Sequence, residues 1–465
     1  MTIIDPPTTT TSLKMSDNHE SPPPPSSSIE RQQKVVRYDL YRGHPNMHLL
    51  PHSEMKTIMS ALVNDTSWHK SLNYGANAGD KRLIIALRAF LDRRTCNDDR
   101  GDIINIESTT TTTNRELFIT NGVSHGLELI CATCTQPGDE VWVERPTYFL
   151  APQIFKSNGL IVKALPMMSD RIDGHGDIGC VDIDRLKHSV EEEGQPPPKM
   201  MYIIPSYHNP TGRTMTWEER KRLALFAIRH GVILVADEVY HLLDWGTKSL
   251  EHHLNSTVLN IQRPCGMVHF NALMQNATQN PTINSAGKIG CCVSVSSFTK
   301  IWAPGRLKEY GYIDSQGGVA PFMGTMMRHA IESNLLDTYL DQLRVEYAER
   351  CALMCDILKD EPRISIPSLN SPVKRQGGYF IWVQFPSGFS SDDFLTYSIE
   401  NYGVKFMAGG KCDPFAEGDD TSGRCIRSCA RLCIADLDRE ELASATATFL
   451  LAFRSYMELV QPQCT

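Results

Sequence analysis

The sequence predicts an α/β protein with a large domain built on a mainly parallel sheet flanked by helices, plus a smaller α+β domain. Three observations lead there. From about Glu116, short apolar runs alternate with helical patterns. After about Gly317 that alternation gives way to long helical stretches with a few strands. The composition, 41% hydrophobic and 22% charged over 465 residues, supplies ample core for a soluble globular protein.

The elements follow in chain order. Residues 1–35 are rich in Pro, Ser and Thr, cannot bury a core, and are expected to form a flexible tail. Residues 71–316 are expected to form the large domain; 36–70 and 317–465 the small one. "ELFIT", "EVWVE", "LIVKALP", "MMYIIP", "VILVAD" and "CVSVSSF" read as strands rich in Val, Ile and aromatics. Between the fourth and fifth, Thr216 and Glu219 form a capping box, "TWEERKRLALFAIRH" gives the helix body, and Gly231 stops it. Strand, helix, strand repeated implies a parallel sheet covered on both faces. Segments Ser108–Thr113 and 251–292 read as loop insertions. One long helical stretch is expected across "FMGTMMRHAIESNLLDTYLDQLRVEYAERCALMCDILKD", leading to "GGYFIWVQF" and later "CIRSCARLCIAD", with helices plus a few antiparallel strands expected in this region.

Charge and cysteine usage narrow the function classes. A net charge of −8 disfavours nucleic acid or an anionic membrane as a partner. No apolar run approaches the ~20 residues of a membrane helix. Fourteen cysteines without a signal peptide read as reduced thiols of an intracellular protein. The tail has Asp5, Asp17 and Glu20 but no arginine before Arg31, unlike a mitochondrial presequence. A cytoplasmic location is expected, with the mitochondrion as the alternative. "CATC" (Cys131 to Cys134) and the run Cys425, Cys429, Cys433 lack a paired CxxC or clustered histidines, so no metal is expected. "GHGDIG", Gly174 to Gly179, matches a dinucleotide pattern but follows polar "SDRID" rather than a strand, which removes its geometry.

In an open parallel sheet, ligands bind beyond the carboxyl ends of the strands, so the residues just after each strand carry the chemistry. After "ELFIT", "NGVSHG" opens a helix whose amides at Val123, Ser124 and His125 suit a phosphate. The next strand ends offer Tyr148, Asn209, Asp237 with Tyr240, and finally Ser297 with Lys300. Each has an ordinary reading alone: a solvated lysine, a helix-capping aspartate, a packing tyrosine, an "NPTG" turn. Their conjunction meets the needs of pyridoxal 5′-phosphate. Lys300 would form the Schiff base, and once freed would move the α-proton. Asp237 would keep the pyridine nitrogen protonated, so that the ring acts as an electron sink. Asn209 and Tyr240 would bond the ring phenolate, Tyr148 would stack, and Ser297 would add a phosphate donor.

"YIIPSYHNPTGRTMTWEERKRLALFAIRHGVILVADEVY" and "SVSSFTKIWAPG" resemble the class I/II aminotransferases of the aspartate aminotransferase fold, within them the 2-aminoadipate and kynurenine aminotransferase group. The resemblance spans roughly Tyr41 to Leu442. It implies a pyridoxal-phosphate enzyme exchanging an amino group between an amino acid and a 2-oxo acid. Donors would be aminoadipate, aromatic amino acids or kynurenine, with 2-oxoglutarate as acceptor. "LYRGHPN" resembles the glycine loop beside the substrate, implying a role for Gly43 next to Asn209. "LNYGANAGDKRLIIALRAFL" resembles the segment whose tyrosine, here Tyr74, reaches the partner subunit's cofactor phosphate, which implies a homodimer. Arg431 of "RSCARLCIAD" falls where the family places the arginine that clamps the substrate α-carboxylate; Arg427 competes for that role.

One stretch departs from the family. The pattern K-x-x-x-P-G-x-R-x-G-[WY] calls for an arginine seven residues after the lysine, to pair with the cofactor phosphate, and for a strand. Position 307 is leucine, Arg306 sits one residue early, and "GYI" arrives two residues late. Either "EYGYID" fills the strand with Arg306 or Lys308 substituting and Glu309 near the arginine's place, or the strand and the helix after it are absent. The second reading is preferred, and it predicts weak cofactor binding or poor folding. The rival functions are a lyase or decarboxylase on the same scaffold, and a catalytically impaired relative. A transcription regulator of this fold would need a basic helix-turn-helix domain upstream, which the Pro-rich N-terminus does not offer.

Overall fold

The main sheet is five parallel strands in the spatial order Ile161–Ala164, Glu140–Val143, Met200–Ile203, Ile233–Asp237, Cys291–Val295, and the strand order reverses between the second and third, a switch point of the kind beyond whose carboxyl ends ligands bind. The computed structural model describes residues 36–66, 68–72, 75–95, 117–168, 180–245, 290–302, 321–370, 377–415 and 421–460. β1 is Tyr38–Asp39; the sheet strands are β2 (Glu140–Val143), β3 (Ile161–Ala164), β4 (Met200–Ile203), β5 (Ile233–Asp237) and β6 (Cys291–Val295). β4 and β5 are buried along their whole length, which is why they read as unbroken apolar runs. Alternate residues serve opposite faces. Met201, Ile203, Leu234 and Ala236 pack on α5 (Ile183–Glu191) and α6 (Trp217–His230). Met200, Tyr202, Ile233 and Val235 pack under α3 (Val123–Cys134) and α4 (Ala151–Ser157). The capping box of Thr216 and Glu219 and the left-handed Gly231 bound α6 as expected.

Four sequence expectations need correction. Leu117–Thr120, the described part of "ELFIT", pairs in no ladder among the described residues. β-propensity cannot make a strand without a neighbour to bond, and β6 is the edge of the five described strands. The long helix is two, Pro321–Glu332 and Leu335–Leu358, because Asn334 takes a left-handed φ of 57° that no helix can propagate. The 251–292 loop insertion ends earlier than expected, since Cys291 and Cys292 already belong to β6. The last strand also stops at Val295, short of Phe298.

A second sheet, β7 (Phe380–Gln384), β10 (Cys429–Cys433) and β9 (Met407–Ala408), is antiparallel as anticipated. β1 pairs in parallel with β8 (Val404–Lys405), bringing the segment before Gly43 beside it. α1 (His52–Asn64) and α2 (Lys81–Thr95) pack against the helix Pro321–Glu332. The tail 1–35, Tyr74, Ser108–Thr113, Gly174–Gly179, most of 251–292 and everything from Arg306 to Asp314 lie outside the described residues.

Candidate active site

The carboxyl ends of β4, β5 and β6 meet the second sheet in one crevice. Lys300 follows β6 after a short turn and donates from Nζ to the Gly43 carbonyl at 2.6 Å. Its ammonium lies 5.9 Å from the Tyr240 ring centroid and 5.4 Å from that of Tyr379. The Tyr379 hydroxyl donates to the Lys300 carbonyl at 2.9 Å, holding the lysine backbone from the second sheet. A Cβ on Gly43 would sit 2.7 Å from Phe380 Cζ, so a larger residue there would have to displace that ring.

Asp237 ends β5 and is buried. Burial pushes its carboxyl up to about 6; hydrogen bonds from the Tyr202 hydroxyl and the Val239 amide, and the charge of Lys300, pull the other way. Tyr240 is buried too, and desolvation holds its phenol well above the usual range. Arg431, on β10, is buried, donates from Nη1 to Asn209 Oδ1 at 2.9 Å and from Nη2 to the Tyr41 carbonyl at 2.6 Å. Its guanidinium carbon lies 3.9 Å from the Phe380 ring centroid. Its Nε has no hydrogen-bond partner among the described residues. The competing Arg427 lies on the helix Thr421–Arg427, where its charge acts on Asp392.

Lys300, Gly43, Tyr240, Phe380, Arg431 and Asn209 thus form one continuous chain of contacts, and Asp237 feels the lysine's charge. The residues assigned to the phosphate are less tightly drawn in. α3 starts at Val123 behind Gly122, whose φ of 87° needs glycine, and no side chain caps its first turn. Ser124 is exposed, and the Asn121 amide donates to His125 Nδ1 at 3.1 Å. Ser297 Oγ donates to Thr299 Oγ1 at 2.9 Å and accepts from the Thr299 amide at 3.1 Å. Tyr148, half-buried, meets Phe149 edge-on.

Sequence reasoning missed the scaffold beneath these groups. At the β2/β4 switch point Glu144 Oε2 accepts from the Ile204 amide at 2.7 Å and lies 3.3 Å from His208 Nε2, directly before Asn209. Arg220, fully buried in α6, donates to the Pro205 carbonyl at 2.7 Å and to Ser206 Oγ at 3.0 Å, with Glu238 3.7 Å away. Arg145 grips Asp413 through two hydrogen bonds of 2.9 and 2.8 Å. Glu144 and Arg145 are polar residues just after an apolar strand, while Arg220 inside α6 and Asp413 after a short turn carry no such sequence signal.

An amine, a buried carboxylate and an amide-held guanidinium at the open end of a parallel sheet define a class, the α/β proteins of the aspartate aminotransferase fold. The backbone agrees: a kynurenine aminotransferase from Pyrococcus horikoshii superposes with a TM-score of 0.67 at 20% identity, covering 92% of each chain. A 2-aminoadipate transaminase of Thermus thermophilus is 24% identical over 357 residues, 74% of this chain and 77% of that protein. An uncharacterised protein of Saccharomyces cerevisiae is 25% identical over 452 residues, 87% of this chain and 95% of its own length. Residues 50–449 match the family described as Aminotransferase class I and II, and the chain belongs to that family of pyridoxal-phosphate-dependent aminotransferases. The residues present fit the cofactor. A buried carboxylate beside a lysine suits a protonated pyridine nitrogen, and the uncapped first turn of α3 suits an anion.

Proposed function

We propose that this enzyme transfers the amino group of a 2-aminoadipate, aromatic or kynurenine-type donor to a 2-oxo acid, with 2-oxoglutarate as acceptor, as a cytoplasmic homodimer. Arg431 carries the reading. Its guanidinium is oriented by Asn209 and the Tyr41 carbonyl, stacks on Phe380, and keeps a buried Nε without a partner among the described residues. A substrate α-carboxylate would supply an acceptor for charge-assisted bonds. Pyridoxal phosphate, when bound there, would supply an amine-reactive aldehyde and a ring able to accept electrons. Asp237 would hold a proton on the ring nitrogen, Tyr240 and Asn209 would orient the ring oxygen, and Lys300 Nζ would move the α-proton. Val123, Ser124, His125, Ser297 and the partner's Tyr74 would hold the phosphate, and Tyr148 would cover the ring.

Exposed apolar side chains support a dimer. Met59 and Val63 of α1, Leu72 of the turn Trp68–Leu72, and Ile85 of α2 lie on elements that share the helix Pro321–Glu332 as support. Candidate donors added singly to the cofactor-loaded protein test the reaction. A transaminase goes to the pyridoxamine form with the amino acid alone and returns on adding 2-oxoglutarate. Carbon dioxide release, or a spectrum that 2-oxoglutarate cannot restore, would indicate a lyase instead.

A second reading rests on the phosphate side. Position 307 is leucine where the family pattern places an arginine, which supports a chain that loads its cofactor weakly. Cofactor retention against a version carrying the family's segment after Gly305 decides it, with equal retention counting against weak loading.

A further inference from the structure

Asp237 has a buried partner that no motif announces. β4 and β5 pair with Tyr202 opposite Val235, so Tyr202 and Asp237, two residues beyond Val235, lie on the same face of the sheet. The Tyr202 ring is fully buried beneath α4, edge-on to Phe155 with centroids 5.4 Å apart. That clamp aims the phenol along the sheet toward its carboxyl end. There its hydroxyl donates to Asp237 Oδ2 at 2.8 Å, its one hydrogen bond among the described residues.

We propose that Tyr202 is a positioning residue for the reaction: its hydroxyl keeps Asp237 ionised and fixes the carboxylate toward the crevice. The inference rests on the aminotransferase reading of Asp237. Phenylalanine would fill the same space, so packing does not account for the hydroxyl. The other bond to the carboxylate, from the Val239 amide to Oδ1, is longer at 3.4 Å, which leaves the phenol as the principal donor. A buried carboxylate is forced toward its neutral form, and a donor that bonds the anion opposes this. Ionisation matters because a neutral acid cannot hold a proton on a pyridine nitrogen. The phenol occupies one Oδ2 lone pair and the Val239 amide one on Oδ1, which leaves further acceptor positions of Asp237 available.

The test uses the full chain in two forms. In cofactor-free protein, carboxyl-labelled aspartate is titrated by carbon NMR, with Asp237 assigned through Asp237→Asn. Tyr202→Phe is expected to raise the Asp237 midpoint by about one pH unit, a tenfold weaker acid. Site-specific Tyr202→3-fluorotyrosine, a stronger donor of nearly the same shape, is expected to lower it. In the loaded enzyme, the acid limb of the kcat profile should rise in Tyr202→Phe, with the donor KM little changed. If Tyr202→Phe does not fold, the fluorotyrosine titration decides. A midpoint unmoved in the fluorotyrosine protein, or in folded Tyr202→Phe, overturns the proposal, as does an unmoved acid limb. A wild-type chain that never binds pyridoxal phosphate overturns the aminotransferase reading instead. The two failures are distinguishable because the titration needs no cofactor.

Discussion

The ring side of the crevice and the phosphate side are built to different standards. On the ring side, Arg431, Asn209, Asp237 and Lys300 are each fixed by a second element: the Tyr41 carbonyl, Tyr202, the Gly43 carbonyl. On the phosphate side, Ser297 is engaged with Thr299, Ser124 is exposed, and the sequence lacks an arginine at position 307. The ring-side groups are therefore held from neighbouring elements, while the described phosphate-side groups make only local contacts. Substitutions on the ring side should damage turnover, and changes on the phosphate side should act on cofactor affinity.

The largest effect expected is from Asp237→Ala, which should lower kcat by about 10³-fold, on the scale of losing a preorganised electrostatic group. Steady-state kinetics at saturating cofactor measure it; a loss under tenfold would break the comparison. Arg431→Lys comes next. Without the fork that meets Asn209, the Tyr41 carbonyl and a carboxylate together, donor kcat/KM should fall about 10²-fold, the worth of a charge-assisted hydrogen bond. Inserting the family's arginine-bearing segment after Gly305 should tighten pyridoxal phosphate binding about tenfold and leave kcat of the loaded enzyme nearly unchanged. A rise in kcat instead would place the defect in the chemistry.

A stability measurement separates Asp237 as a liability from Asp237 as a catalyst. Its folded carboxyl sits at about 6 against an ordinary 3.8, raised by burial. Its contribution to stability is thus fully present below about pH 4 and is lost as pH rises through about 6. Cofactor-free protein should lose roughly 3 kcal/mol over that window relative to Asp237→Asn. Urea unfolding of both at pH 4 and pH 7 reads the difference; parallel pH dependence would contradict it.

The sequence disclosed whatever was local. Lys300, Asp237, Asn209 and the α6 caps sit in short patterns whose chemistry depends on neighbours a few residues away. The partners that tune them were hidden, because Tyr202 reads as one more apolar strand residue and meets Asp237 only through the β4–β5 register. Arg145 and Asp413 lie 268 positions apart, and nothing local marks either one. The strand expected at "ELFIT" failed for a related reason: its propensity was legible, its pairing partner was not. The break at Asn334 was missed because a single left-handed residue leaves the helical periodicity on both sides intact.

The identity of the covalent lysine is the central claim, and it can be read directly. Pyridoxal phosphate is added to the purified full chain, the complex is reduced with borohydride, and the digest is mapped by mass spectrometry. The structure predicts one pyridoxyl group on Lys300, and none in Lys300→Ala. A pyridoxyl group spread over surface lysines, with Lys300 unmodified, would contradict it.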